Sequence, residues 1–215
     1  MNQDNLKAAL KKLRDSKKRK FSQTVDVIFI LQNLQKTDKV DFFVDLRNTI
    51  GRKLKVCALV GTELIEQAKK MCDSAVVQDD FIKYAKDKKS TKKLAEGHDY
   101  FIAQANIMTD VAKTFGRVFG PRNKMPNPKA GCVVPPSANL KVLSERLQKR
   151  VRVMSNKNQN LLIQCAVARE DMPDEQIIDN IMTVYNALIA QLPDHLNNYK
   201  KSYIKLTMSS AVEAD

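Results

Sequence analysis

The residue types that enzymes use for acid–base and nucleophilic chemistry are scattered along this sequence. The two histidines, His98 and His195, stand beside no serine or cysteine in a known nucleophile pattern. The acidic pairs at 79–80 and 174–175 lie where helices are expected to begin, and capping explains them without catalysis. Because no catalytic constellation results, the sequence predicts a protein that is not an enzyme.

The cysteines give no sign of a metal centre or of a disulfide framework. None belongs to a Cys-x-x-Cys pair, and Cys57, Cys132 and Cys165 each lie inside an apolar run. Small buried side chains in a reducing compartment are the favoured interpretation. No apolar run approaches the ~18–20 residues that span a membrane. We therefore expect a cytoplasmic protein with no metal, no cofactor and no membrane partner.

A cytosolic enzyme that binds a nucleotide or a small substrate is the main alternative, because strands and helices alternate in the middle of the chain. The first strand-to-helix turn there reads Val60-Gly61-Thr62-Glu63. It matches neither the Gly-x-Gly-x-x-Gly fingerprint nor a phosphate-binding loop. A lone glycine at this place indicates only a tight turn, so the missing phosphate loop argues against the alternative.

Chemistry suited to nucleic acid is present near both ends of the chain. Four consecutive cations at 17–20 run directly into Phe21, which joins phosphate-binding charge to a ring that can stack on a base or ribose. The pattern equally allows Phe21 to be the first core residue of the next strand. The stretch Ser202–Ser210 offers hydroxyls and amides for phosphate or 2′-hydroxyl contacts, or is simply a solvated strand end.

The segment Gly120–Gly131 interrupts all regular structure. It holds three prolines, two glycines and three cations in twelve residues. Each proline lacks a backbone donor and pushes the preceding residue towards extended geometry. Apolar periodic segments flank the segment on both sides, so we expect a shaped cationic loop inside a folded unit.

Net charge is +13 and the isoelectric point is about 9.6, which favours a polyanionic partner. Nucleic acid is the first candidate partner and a membrane surface the second. The alternative is a soluble protein that is merely basic. The charge is densest in residues 1–20, which carry eight basic and two acidic side chains. The N-terminal region is therefore the first place to look for polyanion contacts.

The hydrophobic periodicity changes from one part of the chain to the next. Residues 2–19 are predicted to form a helix, followed by strands at 24–31 and 40–46. From 55 to 147 strands and helices alternate, which indicates a parallel sheet with helices on both faces. Within this part we predict one long helix from 79 or 80 to 96, and an N-cap at Thr62 for the helix after the first strand.

After residue 148 the pattern changes again, to two strands, a long helix, a closing strand at 202–208 and a short acidic tail after 211. The two ends of the chain resemble each other more than the middle. The predicted fold class is therefore α/β and α+β in two domains. A discontinuous α+β outer domain, residues 1–54 and 148–215, is split by an inserted α/β domain, residues 55–147.

The loop also carries a family resemblance. The segment Phe119–Gly131 resembles the signature loop of the L-one family of large-subunit ribosomal proteins, roughly Leu-Gly-Pro-Arg-Gly-Lys-Met-Pro-x-Pro. The matching positions are Gly120, Pro121, Arg122, Lys124, Met125 and Pro126. The stretches Lys20–Val25, Met172–Ile177 and Tyr203–Met208 are also similar to the family, and the Met-Pro-Asp-Glu helix entry resembles that of archaeal members.

The resemblance implies both a fold and a function. The implied fold is a split two-layer α+β outer domain with an inserted, Rossmann-like three-layer α/β domain that holds no nucleotide. The implied function is to bind the rRNA of the large-subunit stalk beside the tRNA exit site and to assist release of deacylated tRNA. It also implies repression of translation by binding the protein's own mRNA, and a chain that is monomeric when free. A free mRNA-binding regulator remains an alternative, because both roles use one surface.

The resemblance places the main RNA contacts on the outer domain. They carry over onto Lys20, Phe21, Thr24, Thr207 and Met208, and more weakly onto Lys205, Arg152 and Lys157.

Two glycines of the family pattern are replaced in this chain. Ser209 stands where the family has glycine, so an RNA contact at this place must fit a side chain or shift. Asn123 replaces a glycine of the signature loop. Asparagine tolerates positive φ better than other non-glycine residues, so the turn is expected to survive.

Overall fold

The computed structural model describes residues 1–15, 19–35, 39–155 and 161–215. Lys157, and Lys17 and Lys18 of the cation run, lie outside the described residues. The chain divides into two compact units. We call Met1–Arg52 together with Lys149–Asp215 the outer unit, and Lys53–Gln148 the inserted unit.

The described residues contain ten strands and seven α-helices. The strands are β1 (Thr24–Leu31), β2 (Asp41–Asp45), β3 (Val56–Val60), β4 (Ser74–Val77), β5 (Tyr100–Gln104), β6 (Val133–Val134), β7 (Arg150–Met154), β8 (Leu162–Arg169), β9 (Tyr199–Leu206) and β10 (Val212–Glu213). The helices are α1 (Gln3–Arg14), α2 (Ile65–Met71), α3 (Phe81–Lys86), α4 (Lys88–Gly97), α5 (Met108–Phe119), α6 (Leu140–Leu147) and α7 (Asp174–Gln191). In the part of the chain so described, no helix is long and apolar enough to cross a membrane.

The outer unit is built on a four-stranded antiparallel sheet in the order β10-β9-β1-β8. Buried and half-exposed residues alternate along β1, so one face of the sheet forms a core. Helices α1 and α7 contact this sheet and each other. The apolar residues spaced at i, i+3, i+4 and i+7 form a stripe on α1 that is buried in that core: Leu6, Ala9, Leu10 and Leu13.

A two-stranded antiparallel ribbon of β2 and β7 completes the outer unit. Two ion pairs connect the strands of this ribbon. Arg150 donates from Nη2 to Asp45 Oδ2 at 2.7 Å. Arg152 donates from Nε and Nη2 to the two carboxylate oxygens of Asp41, each at 2.7 Å. This fork geometry holds both guanidinium groups against the ribbon.

The short acidic tail after residue 211 is an ordered part of the outer sheet. It forms β10, which pairs with β9, and Asp215 accepts hydrogen bonds from the N–H and the hydroxyl of Ser202 at 2.8 and 2.9 Å. A strand of two residues is too short to show an alternation pattern. It is recognised as a strand only through its pairing with β9, and that pairing exists only in the assembled sheet.

The inserted unit contains a parallel sheet in the order β4-β3-β5-β6. The central strand β3 is buried at all five residues, as its continuous apolar run predicts. The chain moves outward from β3 to β4 and then back across to β5. Since such crossovers are right-handed, α2 lies on one face and α3, α4 and α5 on the other, and α2 contacts α6. The predicted fold class, α/β together with α+β, is confirmed.

Two predicted helix starts in the inserted unit are wrong. The long helix expected up to residue 96 is broken in two at Asp87, whose side chain accepts from the N–H of Lys89 at 2.9 Å and caps α4. The side chains of Asp79 and Asp80 do not cap α3. Thr62 lies inside a short 3-10 turn whose N-cap is Gly61, without a side-chain cap. The charged residues 86–89 continue the polar helical pattern, so only the backbone reveals the break.

The signature loop is anchored to the end of α4. Lys124 donates from Nζ to the carbonyl oxygens of Ala95 and His98, both at 2.6 Å. These carbonyls belong to the last turn of α4 and its C-cap, where helices leave carbonyl groups unpaired. Arg122 adds an ion pair of 3.2 Å with Glu96. Two of the three loop cations therefore serve the fold of the inserted unit.

The backbone of the loop explains its glycine pattern. A Cβ added at Gly120 would lie 2.8 Å from the backbone oxygen of Gly116, which real side chains essentially never tolerate. Asn123 adopts φ 54° and Gly131 adopts φ 65°. The left-handed turn at 123 thus survives with asparagine in place of glycine, as predicted.

Replacing Lys124 by methionine tests the anchoring role of the loop. Lys124→Met keeps the aliphatic stem but leaves two helix-end carbonyls without their charged donor. We expect the unfolding free energy of the inserted unit to fall by roughly 2–3 kcal/mol. Amide hydrogen exchange measures this, because it reports the two units separately.

Lys129→Met is the matched control, since Lys129 carries an exposed side chain in the same loop. It should change stability by no more than about 0.5 kcal/mol. Equal effects of the two substitutions would show that the loop needs charge in general rather than the Lys124 contacts.

Candidate nucleic-acid interface

The start of β1 and the end of β9 lie side by side because the two strands are antiparallel. Val25 pairs with Leu206, so Thr24 and Thr207 meet just beyond the last regular pair. The N–H of Thr207 donates to the carbonyl of Thr24 at 3.1 Å. The N–H of Thr24 donates to the Thr207 hydroxyl oxygen, also at 3.1 Å. The predicted contact residues from the two ends of the chain are thereby brought together.

Gln23 stabilises this junction from its buried side. Its side chain is 2 % exposed, and its Oε1 accepts the N–H of Met208 at 3.0 Å. Its backbone exchanges hydrogen bonds with Glu170, which donates to the Gln23 carbonyl at 2.9 Å and accepts the Gln23 N–H on its carboxylate at 3.2 Å. The sequence reasoning missed Gln23, because burial of a polar residue between serine and threonine leaves no pattern.

Two large apolar side chains are exposed on either side of this junction. Phe21 is 54 % exposed and Met208 is 58 % exposed. The alternative in which Phe21 is the first core residue of β1 is therefore wrong, since the core begins at Val25. An exposed ring and an exposed thioether that flank a hydrogen-bonded strand junction are suited to packing against a base or ribose.

Ser209 supports the junction without needing glycine geometry. Its hydroxyl oxygen accepts the N–H of Leu206 at 2.8 Å, and its own N–H donates to the Leu206 carbonyl at 3.1 Å. Among the described residues with positive φ, the non-glycine ones are Asn33, Asn123 and His195, so Ser209 is not strained. The side chain that replaces glycine folds back onto the end of β9.

A polar group extends the surface along the half-exposed face of the sheet. Asp26 lies opposite Lys205 in the pairing of β1 with β9, and Gln164 of β8 donates to Asp26 Oδ2 at 3.4 Å. Burial raises the pKa of Asp26, while the Gln164 hydrogen bond and the Lys205 charge oppose that rise. The predicted residue Lys205 thus faces a carboxylate, which the sequence reasoning had not connected with it.

The remaining predicted contacts are placed differently. Lys20 is exposed directly before Phe21 and belongs with the junction. Arg152 lies on the β2–β7 ribbon, where it is paired with Asp41 and its guanidinium stands 5.7 Å from the ring centre of Phe43. These contacts engage Arg152 within the ribbon. The signature-loop residues lie in the inserted unit. We call Lys20, Phe21, Thr24, Thr207 and Met208 the junction surface.

Comparison with known proteins identifies the family of this chain. The sequence pattern of the ribosomal protein L1p/L10e family matches residues 10–210. The chain belongs to this family. This is a family of ribosomal proteins and not of enzymes, so the prediction of a non-enzymatic protein is confirmed.

Several archaeal members of the L1p/L10e family are similar along their whole length. The chain is 39 % identical over 208 residues to the large ribosomal subunit protein uL1 of Nanoarchaeum equitans, covering 94 % of this chain and 96 % of that one. It is 36 % identical to the uL1 protein of Methanothermococcus thermolithotrophicus, covering both chains fully. For the uL1 protein of Methanobrevibacter smithii the identity is 38 % and the coverage 99 % of both.

The place where a nucleotide would bind in an α/β sheet is closed in this family member. The strand order reverses direction between β3 and β5, and ligands of such sheets bind at the carboxyl ends of those strands. There the N–H of Gly61 is taken by Gln104 Oε1 at 3.0 Å, and Gln104 Nε2 donates to Glu63 at 3.0 Å. Gln104 is 2 % exposed, so its amide occupies the crevice instead of a phosphate.

Asp26→Asn gives a pH-dependent test of the polar group on the sheet. The folded state raises the pKa of Asp26 above its ordinary 3.8. A carboxyl with a raised pKa supports folding while protonated and loses that support as pH rises through its folded pKa. The asparagine variant should therefore be more stable than the parent at pH 7, and the difference should vanish below about pH 3.8.

Hydrogen exchange in the outer unit, compared across pH, measures the difference. Gln164→Met removes the hydrogen bond that opposes the rise in the Asp26 pKa. It should therefore make the stability of the outer unit fall more steeply between acidic and neutral pH. A difference between Asp26→Asn and the parent that stays constant from pH 3 to 7 would contradict a raised pKa.

Proposed function

We propose that this chain is a structural constituent of the large ribosomal subunit that binds stalk rRNA beside the tRNA exit site through the junction surface. Membership of the L1p/L10e family supports the ribosomal role. The single observation that carries the assignment to this surface is that Phe21 and Met208 are both exposed where the hydrogen-bonded Thr24–Thr207 pair joins the two ends of the chain. Resemblance had named the same residues independently of any geometry.

In this proposal affinity and recognition come from different groups. The basic residues of the N-terminal region, with Lys20 nearest the junction, neutralise phosphates and make binding dependent on salt. Phe21 and Met208 pack against an unstacked base or its ribose. The N–H groups of residues 207–209 are used within the junction, so the Thr207 hydroxyl is the group offered to RNA as a hydrogen-bonding partner. Because Gln23 and Glu170 hold the junction from within, the surface is formed before RNA arrives.

The finer roles follow from the same surface. On the ribosome, the chain assists release of deacylated tRNA by remaining attached to the stalk near the exit site, and so acts in the cytoplasm as part of the particle. A similar RNA structure in the protein's own mRNA would occupy the junction surface in place of rRNA and repress translation. One surface then serves both RNAs, and they compete for it.

Phe21→Ala tests the proposed surface. If the ring packs on RNA, the substitution should weaken binding to large-subunit rRNA by about 1–3 kcal/mol, roughly 5- to 150-fold in Kd. Filter binding gives the affinity. Co-sedimentation with large subunits at moderate salt shows whether the parent chain joins the particle and the variant is lost from it.

Leu196→Ala is the matched control for Phe21→Ala, because Leu196 is a 62 % exposed apolar residue elsewhere in the outer unit. It should leave the affinity unchanged. A folded Phe21→Ala variant that binds as tightly as the Leu196 variant would remove Phe21 from the interface. A parent chain that does not co-sediment with large subunits would overturn the ribosomal role itself.

Two substitutions at Thr207 separate its hydroxyl from its methyl group. Thr207→Val removes the acceptor of the Thr24 N–H and any hydroxyl contact with RNA. We expect binding to weaken by about 1–3 kcal/mol. Thr207→Ser keeps the hydroxyl and should bind within about twofold of the parent. Equal losses in the two variants would assign the effect to the methyl group instead.

A further inference from the structure

The inserted unit carries a second concentration of positive charge, separate from the junction surface. Five lysines fall within residues 86–93, and all five are exposed. Four of them lie on α4 in pairs at i and i+4, a spacing that places side chains about 5–6 Å apart on one face of a helix. We call Lys86, Lys88, Lys89, Lys92 and Lys93 the α4 lysine surface.

The carboxylates near the α4 lysine surface have other partners. Asp87 caps α4 by accepting from the N–H of Lys89 at 2.9 Å and from the hydroxyl of Ser90 at 2.5 Å. Glu96 is paired with Arg122 of the signature loop, and Asp80 with Lys83 at 2.7 Å. Among the described residues, Lys88, Lys92 and Lys93 form no ion pair.

The opposite face of the same sheet is charged differently. On α2, Glu66 stands three and four residues before Lys69 and Lys70, and on α6, Glu145 stands four residues after Lys141. Such spacings place each cation beside a carboxylate. On α4 the carboxylate at this spacing is Glu96, four residues after Lys92, and it is already paired with Arg122. A general excess of lysine would charge both faces alike, so the unbalanced charge on α4 is a local property.

The apolar side of α4 is occupied by the core of the inserted unit. Ala95 belongs to the buried cluster that includes Phe115 and Phe119, Leu94 packs against that cluster, and Thr91 is 2 % exposed. A helix that binds membranes by insertion needs an exposed apolar face beneath its cations. Because α4 offers only charge to the outside, its chemistry fits a polyanion whose phosphates lie in solvent, as in RNA.

The signature loop holds α4 in place. Lys124 pairs with the carbonyls of Ala95 and His98, and Arg122 with Glu96, so both ends of α4 are fixed, the first by Asp87 and the last by the loop. A fixed helix presents its lysines in one arrangement, which reduces the entropy lost when they bind. This gives the loop a role that does not require its own cations to touch RNA.

We propose that the α4 lysine surface is a second RNA-binding surface, which contacts the sugar–phosphate backbone of an rRNA segment other than the one at the junction surface. This inference rests on the proposed ribosomal function. The contact is electrostatic and independent of sequence, because lysine side chains on phosphates read no base. It adds affinity and salt dependence, while the junction surface supplies recognition.

The test compares two triple variants of the full chain that lose the same charge. One is K88Q/K92Q/K93Q on α4, and the other is K69Q/K70Q/K141Q on the opposite face. Affinity for large-subunit rRNA is measured by filter binding over a range of salt concentrations. The α4 triple should reduce the slope of log K against log salt by about 2–3, and the opposite-face triple by less than about 0.5.

The outcomes distinguish this inference from the function on which it rests. Equal slope changes in the two triples would overturn the α4 surface and leave only an effect of net charge. If the parent binds rRNA in a Phe21-dependent way and the α4 triple matches it, the inference fails while the proposed function stands. If the parent does not bind rRNA, the proposed function fails.

Two further measurements close the test. Circular dichroism melting should show both triples folded like the parent, and K92Q alone should give about one third of the slope change if folding of the α4 triple is impaired. Vesicles containing phosphatidylserine are the second probe. Loss of vesicle binding in the α4 triple with an unchanged rRNA slope would overturn RNA as the partner in favour of a membrane surface.

Discussion

The proposed RNA surface depends on the antiparallel pairing of β1 with β9. This pairing brings together residues that are 183 positions apart in the chain, Thr24 and Thr207. The register also determines which side chains face outward, since a slip of one residue would turn every side chain to the other face of the sheet. The buried alternating residues of β1 hold that register, because each must stay in the core. The strand register that packs the core therefore also determines which side chains form the binding surface.

Gln23 shows how the junction stays exposed and rigid at once. A buried amide is stable only when its polar atoms find partners. Here it accepts from the backbone of Met208 while Glu170 engages its own backbone. Gln23 is thus the buried residue before β1, while Phe21, two residues earlier, is 54 % exposed.

The cations of this protein serve two purposes that residue type alone does not separate. Lys124 and Arg122 belong to a motif that looks built for RNA, yet their contacts stabilise the end of α4. Arg152 likewise braces the β2–β7 ribbon through Asp41. The lysines of α4 belong to no motif and have the open surroundings that phosphate contacts require. Which cations remain available is decided by the carbonyl and carboxylate groups that the fold places beside them.

Local patterns determined much of this protein. The bounds of β1, β3 and β4 follow from β-branched alternation or from unbroken apolar runs, which depend only on neighbouring residues. The α1 stripe follows from helical periodicity in the same way. Sequence motifs also named the residues of the junction surface and the family to which they belong.

Tertiary structure decided the rest, because the deciding contacts join residues far apart in sequence. The strand β10 exists only through β9, and Gln104 closes the crevice only because β3 and β5 are neighbours. The exposure of Phe21, left open by its sequence pattern, was settled by where the core begins. The sequence specifies the type of each side chain. Its contacts form only when distant strands pair, and those contacts determine which side chains remain free to bind RNA.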